Sequence, residues 1–161
     1  QEDLTSNFGE ENYDIGHLFA YGSNNGNAGC IGCICKNGQK GSAFTSHGFL
    51  SADGQFLNDF FDIDYVAHEI GHQFGAYHTF AYNNEGTGSN VEPGSGSTIM
   101  GYAGITGPDD VQEHSDPYFN FKSIENISDY ISTESCYTST ELINNPPVAD
   151  AGTNFLSLIH I

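Results

Sequence analysis

The residues whose types and spacing could do chemistry lie in one short stretch, HEIGHQFGAYH, at positions 68–78. On a helix, residues four apart project from the same face, so His68 and His72 can direct two imidazoles at one metal ion. Gly75 can adopt the left-handed conformation at little cost, and we therefore expect the helix to end there and the chain to turn back. His78 would then approach the same ion from another direction.

Glu69 follows the first of these histidines and completes the predicted chemistry. Catalytic zinc sites have three protein ligands and an open position for water, whereas structural zinc sites usually have four protein ligands. Zinc lowers the pKa of that water, and Glu69 is placed to accept its proton and later to protonate the leaving amine. A coincidental spacing of core or surface histidines is the competing interpretation, but the motif fixes five positions in eleven residues. The pattern predicts peptide hydrolysis.

Met100, the only methionine of the chain, gives a second signal. It lies in STIMGYAG (97–104), an apolar turn between glycine-rich segments. A lone methionine is ordinarily a filler of the core. Together with the histidine motif, however, this segment is similar to the methionine turn beneath the zinc site of metzincins.

The two motifs together resemble the metzincin zinc endopeptidases, and within them the reprolysin (adamalysin)-like branch, especially its secreted bacterial members. The segments DYVAHEIGHQFG and EPGSGSTIMGYAG carry the resemblance, which covers about residues 12–137. It implies an α/β, more strictly α+β, fold with a twisted, mainly parallel sheet above the cleft and the active-site helix below. An irregular lower part would end in a C-terminal helix. Thr79 stands where many animal reprolysins have aspartate, and HTF (78–80) is also similar to pappalysin-like enzymes, which are the second choice.

The resemblance also implies roles for residues around the cleft. The segment KGSAFTS (40–46) would form the upper rim, where the strand around Ser42, Ala43 and Phe44 would pair with an extended substrate. Residues 103–106 would shape the pocket for the residue after the cleaved bond.

Tyr102 stands two residues after the methionine, as in astacins and serralysins, where a tyrosine at that spacing approaches the zinc. A tyrosine that merely packs under the turn is the alternative, because the phenol group suits either role.

The four cysteines, Cys30, Cys33, Cys35 and Cys136, permit three disulfide pairings. The resemblance favours Cys35 with Cys136, which have the same relative placement as a reprolysin disulfide, and leaves the other two bonded or free. A four-cysteine zinc site is the competing interpretation.

The elements that must position these groups are predicted from hydrophobic periodicity. Alternation predicts strands, apolar residues at helical spacing predict helices, and glycine predicts helix ends. The predicted elements are strands at 12–20 and 40–46, a helix ending at Gly9, the motif helix from about Asp59 to Phe74, and a final helix from Ile124 to about Thr133 capped by Ser123.

Composition limits the environment and the partners. With 21 acidic residues against 3 Lys plus Arg, the net charge is -18, which disfavours nucleic acid and anionic membranes as partners. No apolar stretch is long enough for a membrane span. Abundant glycine and four cysteines favour an extracellular, loop-rich protein over a cytosolic acidic domain with free thiols. Calcium could bind some of the carboxylates, but no EF-hand spacing marks a site.

The chain is predicted to contain one metzincin catalytic domain at residues 1–137, truncated at its N-terminus because only 67 residues precede the motif. Residues 138–161, with a proline pair, are predicted to be a linker or the start of a following module. The final LSLIHI, which includes His160, resembles translated adapter sequence and is given no functional weight. His17, His47 and His114 have no partner at ligand spacing and are expected to be strand or loop residues.

The sequence therefore predicts a secreted zinc-dependent endopeptidase that acts on proteins or peptides and is tethered to further domains. The alternative is a catalytically silent, metzincin-like module for binding or adhesion in a multidomain secreted protein. Glu69 argues against that alternative, because a purely structural zinc has no use for a base beside an open position.

Overall fold

The computed structural model describes residues 1–23, 25–47, 58–141, 143, 145, 147–150 and 152. The LSLIHI segment lies outside the described residues. Within the described part of the chain, no helix has both the length and the apolar character needed to cross a membrane.

A three-stranded mixed sheet forms the upper part of the fold. Its strands are β1 (His17–Tyr21), β2 (Asn25–Asn27) and β3 (Ala43–His47), in the spatial order β1-β3-β2. β1 runs parallel to β3, and β2 runs antiparallel to it. Both predicted strands exist, but each begins later than predicted, because residues Glu10–Asn12 form a 3-10 turn and residues 36–41 form turns.

The topology corrects the predicted substrate rim. β3, with Ala43 and Phe44, lies in the centre of the sheet, and Phe44 is opposite Leu18 of β1 and Asn27 of β2. Ser42 precedes the strand. A central strand has no free backbone groups to offer a substrate. Among the described residues, β1 and β2 are the two edge strands, and the rim predicted around Ser42, Ala43 and Phe44 falls at the central strand instead of at an edge.

The described part of the chain also contains α-helices and one π-helical segment. They are α1 (Glu2–Phe8), a π-helical segment (Phe61–Ala67) that continues directly into α2 (His68–Gln73), and α3 (Phe121–Ser132). Gly9 follows α1 with φ 81°, as predicted for a glycine at a helix end. The predicted motif helix is confirmed, although its first half is π-helical, a rare geometry that often marks functional sites.

The last helix begins earlier than predicted and has a different cap. Asn120 is the N-cap, and its side chain accepts a hydrogen bond from the backbone N–H of Lys122 at 3.0 Å. Ser123 lies inside α3 and is buried, so the predicted cap at Ser123 is wrong. Asparagine and serine cap helices about equally well, so residue preference alone does not distinguish Asn120 from Ser123.

The hydrophobic core lies beneath α2. Ala76, Ile99 and Met100 are buried there, and Ile63, Ala67, Phe119 and Ile127 pack against them. The core thus joins the motif helix, the methionine turn and α3.

The long irregular segment between α2 and α3 is held by buried polar groups. Glu92 is buried, and its carboxylate accepts hydrogen bonds from the Thr98 hydroxyl at 2.6 Å and from the backbone N–H groups of Ser97 and Thr98 at 3.1 Å. Burial raises the pKa of Glu92, but hydrogen bonding to the carboxylate outweighs the effect of burial, and the pKa lies below its usual value. The bonds fix the chain just before Met100.

The cysteines lie in two pairs. Cys35 and Cys136 are disulfide-bonded with their Cα atoms 5.7 Å apart, and Cys30 is bonded to Cys33 with a Cα separation of 5.8 Å. No cysteine is free, which excludes the four-cysteine zinc site. The Cys35 bridge connects the segment before β3 to the chain that follows α3.

Candidate metal centre

Three histidines meet at the end of α2. His68 and His72 are one helical turn apart and buried, with ring centroids 4.8 Å apart. Gly75 has φ 94°, and the chain reverses there so that the Nε2 of His78 lies 3.0 Å from the Nε2 of His72. The potential ligand atoms of the three side chains all lie within 4.8 Å of one another.

The Nδ1 atom of each imidazole has an oxygen partner. Nδ1 of His68 lies 2.7 Å from the carbonyl oxygen of Ile99, and Nδ1 of His72 lies 2.7 Å from that of Ala76. Nδ1 of His78 lies 3.0 and 3.1 Å from the two carboxylate oxygens of Glu85. A carbonyl or carboxylate oxygen can only accept, so each Nδ1 is the donor. In the neutral rings Nε2 therefore carries the lone pair.

Burial is the main reason that all three histidines remain neutral. Burial lowers the pKa of His68 well below its usual value, helped by His72 and His78, although the Ile99 carbonyl raises it. Burial and then His78 lower the pKa of His72 to about 4. Burial also lowers the pKa of His78, against the opposing effect of Glu85.

These three rings fit a divalent metal. A histidine must be neutral to bind a metal, and the rings are neutral near pH 7. The Nε2 lone pairs of His72 and His78 face each other at 3.0 Å, an arrangement that is repulsive without a cation to share. A set of three imidazole nitrogens suits zinc and other transition metals.

Glu69 is held between α2 and the edge strand. Its side chain is half-buried, and a Cβ atom added to Gly26 of β2 would lie 2.7 Å from its Cγ and 2.9 Å from its Cδ. Burial raises the pKa of Glu69 to about 7, while a hydrogen bond from the backbone of Ala28 opposes that rise. The absence of a side chain at Gly26 leaves the space that the Glu69 side chain occupies.

A cavity of about 430 Å³ opens beside His68, whereas His72 and His78 are not among its lining residues. His68, Glu69 and Tyr102 line it, together with Asn25 and Gly26 of the edge strand. Residues 103–105 also line it, as the sequence predicts, but Thr106 is not among the lining residues, and its hydroxyl binds the Asp110 carboxylate at 2.6 Å. None of Ser42, Ala43 and Phe44 is among the lining residues.

Tyr102 packs against the histidine rings. Its ring centroid lies 4.6 Å from that of His78 and 5.6 Å from that of His68. Burial, followed by the charges of Glu69 and Glu85, raises the pKa of Tyr102 to about 12, so the phenol remains protonated. The ring is therefore in contact with the histidine rings.

Met100 is fully buried. A Cβ atom at Gly71 would lie 2.5 Å from its Sδ, so the methionine touches the motif helix directly.

A buried polar cluster that the sequence did not indicate connects the motif helix to the sheet. Gln73 is fully buried, and its Oε1 lies 2.8 Å from Nδ1 of His17, whose Nε2 lies 2.6 Å from the Thr45 hydroxyl. The Gln73 amide also donates to the carbonyl of Gly16 at 3.1 Å. A glutamine on the predicted motif helix, next to His72, was the available signal, because buried polar groups need partners.

His114 and Glu85 were missed as well. Nδ1 of His114 forms a hydrogen bond with the carboxylate of Asp64 at 2.7 Å. His114 and Asp64 both line the cavity. Glu85 lies in a loop of glycine and asparagine with no periodic pattern, and no local signal marks it.

Comparison with known proteins identifies the family. No curated protein and no solved structure matches the chain significantly. The family model of the metallopeptidase family M12B, reprolysin-like, matches residues 1–136. That match covers the sheet, the three histidines, the methionine turn and α3. The chain therefore belongs to the reprolysin-like metallopeptidases of family M12B.

Proposed function

We propose that this protein is a zinc-dependent endopeptidase that hydrolyses peptide bonds in proteins. The observation that carries the proposal is the convergence of three neutral imidazoles, each with its Nδ1 bound to an oxygen, beside Glu69 at a cavity. Membership of a metallopeptidase family supports the same function.

His68, His72 and His78 would hold the metal through Nε2. Zinc in a three-histidine site lowers the pKa of water and polarises carbonyl groups as a Lewis acid. The carbonyls of Ile99 and Ala76 keep two of the rings in the tautomer that ligation requires.

Glu69 would be the general base. Its carboxylate takes a proton from the attacking water and then gives a proton to the nitrogen of the leaving amine. Its position between α2 and Gly26 restricts the side chain, which favours a fixed geometry for both proton transfers. The buried Met100 would support the motif helix from below, and Tyr102, protonated at neutral pH, could donate a hydrogen bond to substrate.

The substrate would lie extended along β2, the edge strand that lines the cavity. Asn25 and Gly26 line the cavity, and an edge strand offers unpaired backbone groups to a peptide. The side chain after the cleaved bond would enter the cavity beside residues 103–105.

An extracellular location is part of the proposal. Two disulfide pairs are typical of proteins from oxidising compartments. We further propose a bacterial origin and additional domains joined through residues 138–161, on the family resemblance and the proline pair. Calcium binding remains a prediction from the acidic composition.

The deciding experiment measures zinc content and casein hydrolysis for the wild-type protein, Glu69→Ala and the control Glu125→Ala on the exposed face of α3. We expect about one zinc per chain in all three proteins and hydrolysis in the wild type and the control only. Absence of zinc from the wild type would refute the metal site. Bound zinc with equal, negligible hydrolysis in all three would favour the binding or adhesion module.

A further inference from the structure

We infer that Glu85 is a positioning residue for His78, the third histidine of the proposed metal site. The inference rests on the proposed function, because it concerns the same three histidines. Both carboxylate oxygens of Glu85 lie within hydrogen-bond distance of Nδ1 of His78, at 3.0 and 3.1 Å. The Nε2 on the other side of the ring faces His72.

His78 differs from the other two histidines in what holds it. His68 and His72 belong to α2, and their Nδ1 partners are backbone carbonyls that the fold fixes in place. His78 follows the chain reversal and lies outside any helix or strand. Its Nδ1 partner is a side chain from a loop. The orientation of the third ring therefore depends on where Glu85 is held.

Packing fixes the plane of the His78 ring but does not determine which of its two nitrogens points toward His72. The Phe80 ring stacks on His78 with centroids 4.8 Å apart, and the Tyr102 ring meets it edge-on at 4.6 Å. These two contacts define the plane of the imidazole, but neither contains an acceptor aimed at Nδ1. The carboxylate of Glu85 distinguishes the two ring nitrogens and places Nε2 toward His72.

The loop that carries Glu85 is itself anchored. The backbone N–H of Glu85 donates to Oδ1 of Asn90 at 3.2 Å, and the amide of Asn90 donates to the carbonyl of Phe80 at 2.7 Å. Ser89, which is fully buried, donates to Asn126 of α3 at 2.9 Å. Asn90 thus connects the loop to the residue that stacks on His78, and Glu85 is held on the side of the ring away from His72.

A carboxylate bound to the second nitrogen of a ligating histidine fixes the tautomer and makes the ligand more basic. Loss of such a partner typically weakens metal binding about 10- to 100-fold. We therefore expect Glu85 to strengthen metal binding without touching the metal.

The test measures Zn²⁺ affinity by competition with a chromogenic chelator for the wild type, Glu85→Ala, Glu85→Gln and the control Glu125→Ala. Glu85→Ala should bind Zn²⁺ about 10- to 100-fold more weakly than the wild type. Glu85→Gln should lie between them, because its amide oxygen still accepts from Nδ1 but carries no charge. Glu125→Ala removes a carboxylate from an exposed ion pair and should bind like the wild type.

A second readout follows the tautomer of His78 itself. Nitrogen-15 NMR of the metal-free protein should report the Nδ1–H form of His78 in the wild type and a larger Nε2–H population in Glu85→Ala. Glu85 is in an exposed loop, so circular dichroism should find both variants folded. Equal Zn²⁺ affinities and equal tautomer populations in the wild type and Glu85→Ala would overturn the role of Glu85. A wild type without Zn²⁺ affinity would instead overturn the proposed function.

Discussion

Gly71 and Met100 are in direct contact, because a Cβ atom at Gly71 would lie only 2.5 Å from the methionine Sδ. The same hypothetical atom would lie 3.0 Å from the ring of Phe119. The glycine between His68 and His72 therefore lets the methionine turn pack against the backbone of the motif helix. The motif helix and the methionine turn can lie this close together because Gly71 has no side chain.

Gly71→Ala should lower the free energy of unfolding by about 1–3 kcal/mol, the usual cost of overpacking a core. A destabilising effect is informative, because alanine is normally more favourable than glycine in a helix by roughly 0.5–1 kcal/mol. A loss of stability would therefore come from overpacking and not from helix propensity. Urea denaturation measures the change. Gly22→Ala is the matched control, because a Cβ atom there meets no atom of the described residues within 4 Å.

A double-mutant cycle tests whether Gly71→Ala destabilises the protein through its contact with Met100. Met100→Ala alone should cost about 2–5 kcal/mol through the cavity it leaves. In Met100→Ala the added methyl group at Gly71 has room, so the double variant should be more stable than the two single changes predict together. Additive losses would mean that Gly71→Ala acts through some other contact.

Gln73→Leu should destabilise the protein although it replaces a fully buried polar residue with an apolar one. The change leaves Nδ1 of His17 and the carbonyl of Gly16 without their partner, and a buried unsatisfied group costs about 1–3 kcal/mol. Chemical denaturation measures the loss. Gln39→Leu, at an exposed position, should change the free energy of unfolding by less than about 0.5 kcal/mol. Similar effects of the two substitutions would argue that the Gln73 cluster is not a tether between helix and sheet.

Glu92→Gln should destabilise the protein at pH 7 by about 1–3 kcal/mol, because one of the two oxygens that accept hydrogen bonds becomes an NH₂ group. The pKa of Glu92 in the folded protein lies below its usual value of about 4.5. The carboxylate therefore stabilises the folded state fully above its unfolded-state pKa, and this stabilisation is lost as the pH falls through the folded-state pKa.

Glutamine does not titrate, so the difference in the free energy of unfolding between the wild type and Glu92→Gln should be largest near neutral pH. It should narrow as the pH falls below about 4. Denaturation curves of both proteins at pH 7 and pH 3 give the two differences. A difference that is the same at both pH values would show that the charge of Glu92 does not stabilise the methionine turn.

The local parts of the site could be predicted from sequence, and the reasons are physical. The spacing of His68 and His72 fixes their common face on a helix, and Gly75 takes the left-handed conformation that returns His78. Those relationships involve neighbours along the chain. Met100 was predictable because its segment, taken with the histidine motif, resembles the methionine turn of metzincins.

The non-local parts could not be predicted in the same way. Alternation locates a strand but does not say which strand lies beside it, so the central position of β3 and the edge position of β2 (Asn25–Asn27) were not evident. Glu85 lies in a polar loop, and its contact with His78 depends on how Asn90 anchors that loop. Polar loops have no periodicity that points to a partner.

Gly26→Ala should lower peptidase activity while zinc remains bound. The new methyl group would overlap the side chain of Glu69, with 2.7 Å to its Cγ, and must push the carboxylate from its place. Small displacements of a catalytic group can cost about 100-fold in rate. Because Gly26 is not one of the three proposed metal ligands, zinc content should equal that of the wild type.

The kinetics of casein hydrolysis and the zinc content of Gly26→Ala and Gly22→Ala provide the comparison. Gly22 follows β1 at an exposed position with open space around its Cα, so its alanine variant should retain wild-type activity. A fall in kcat for Gly26→Ala alone, with zinc retained, would link the backbone of the edge strand to the position of the base. Full activity in Gly26→Ala would mean that Glu69 can function from a second position, and the proposed fixed geometry would have to be given up.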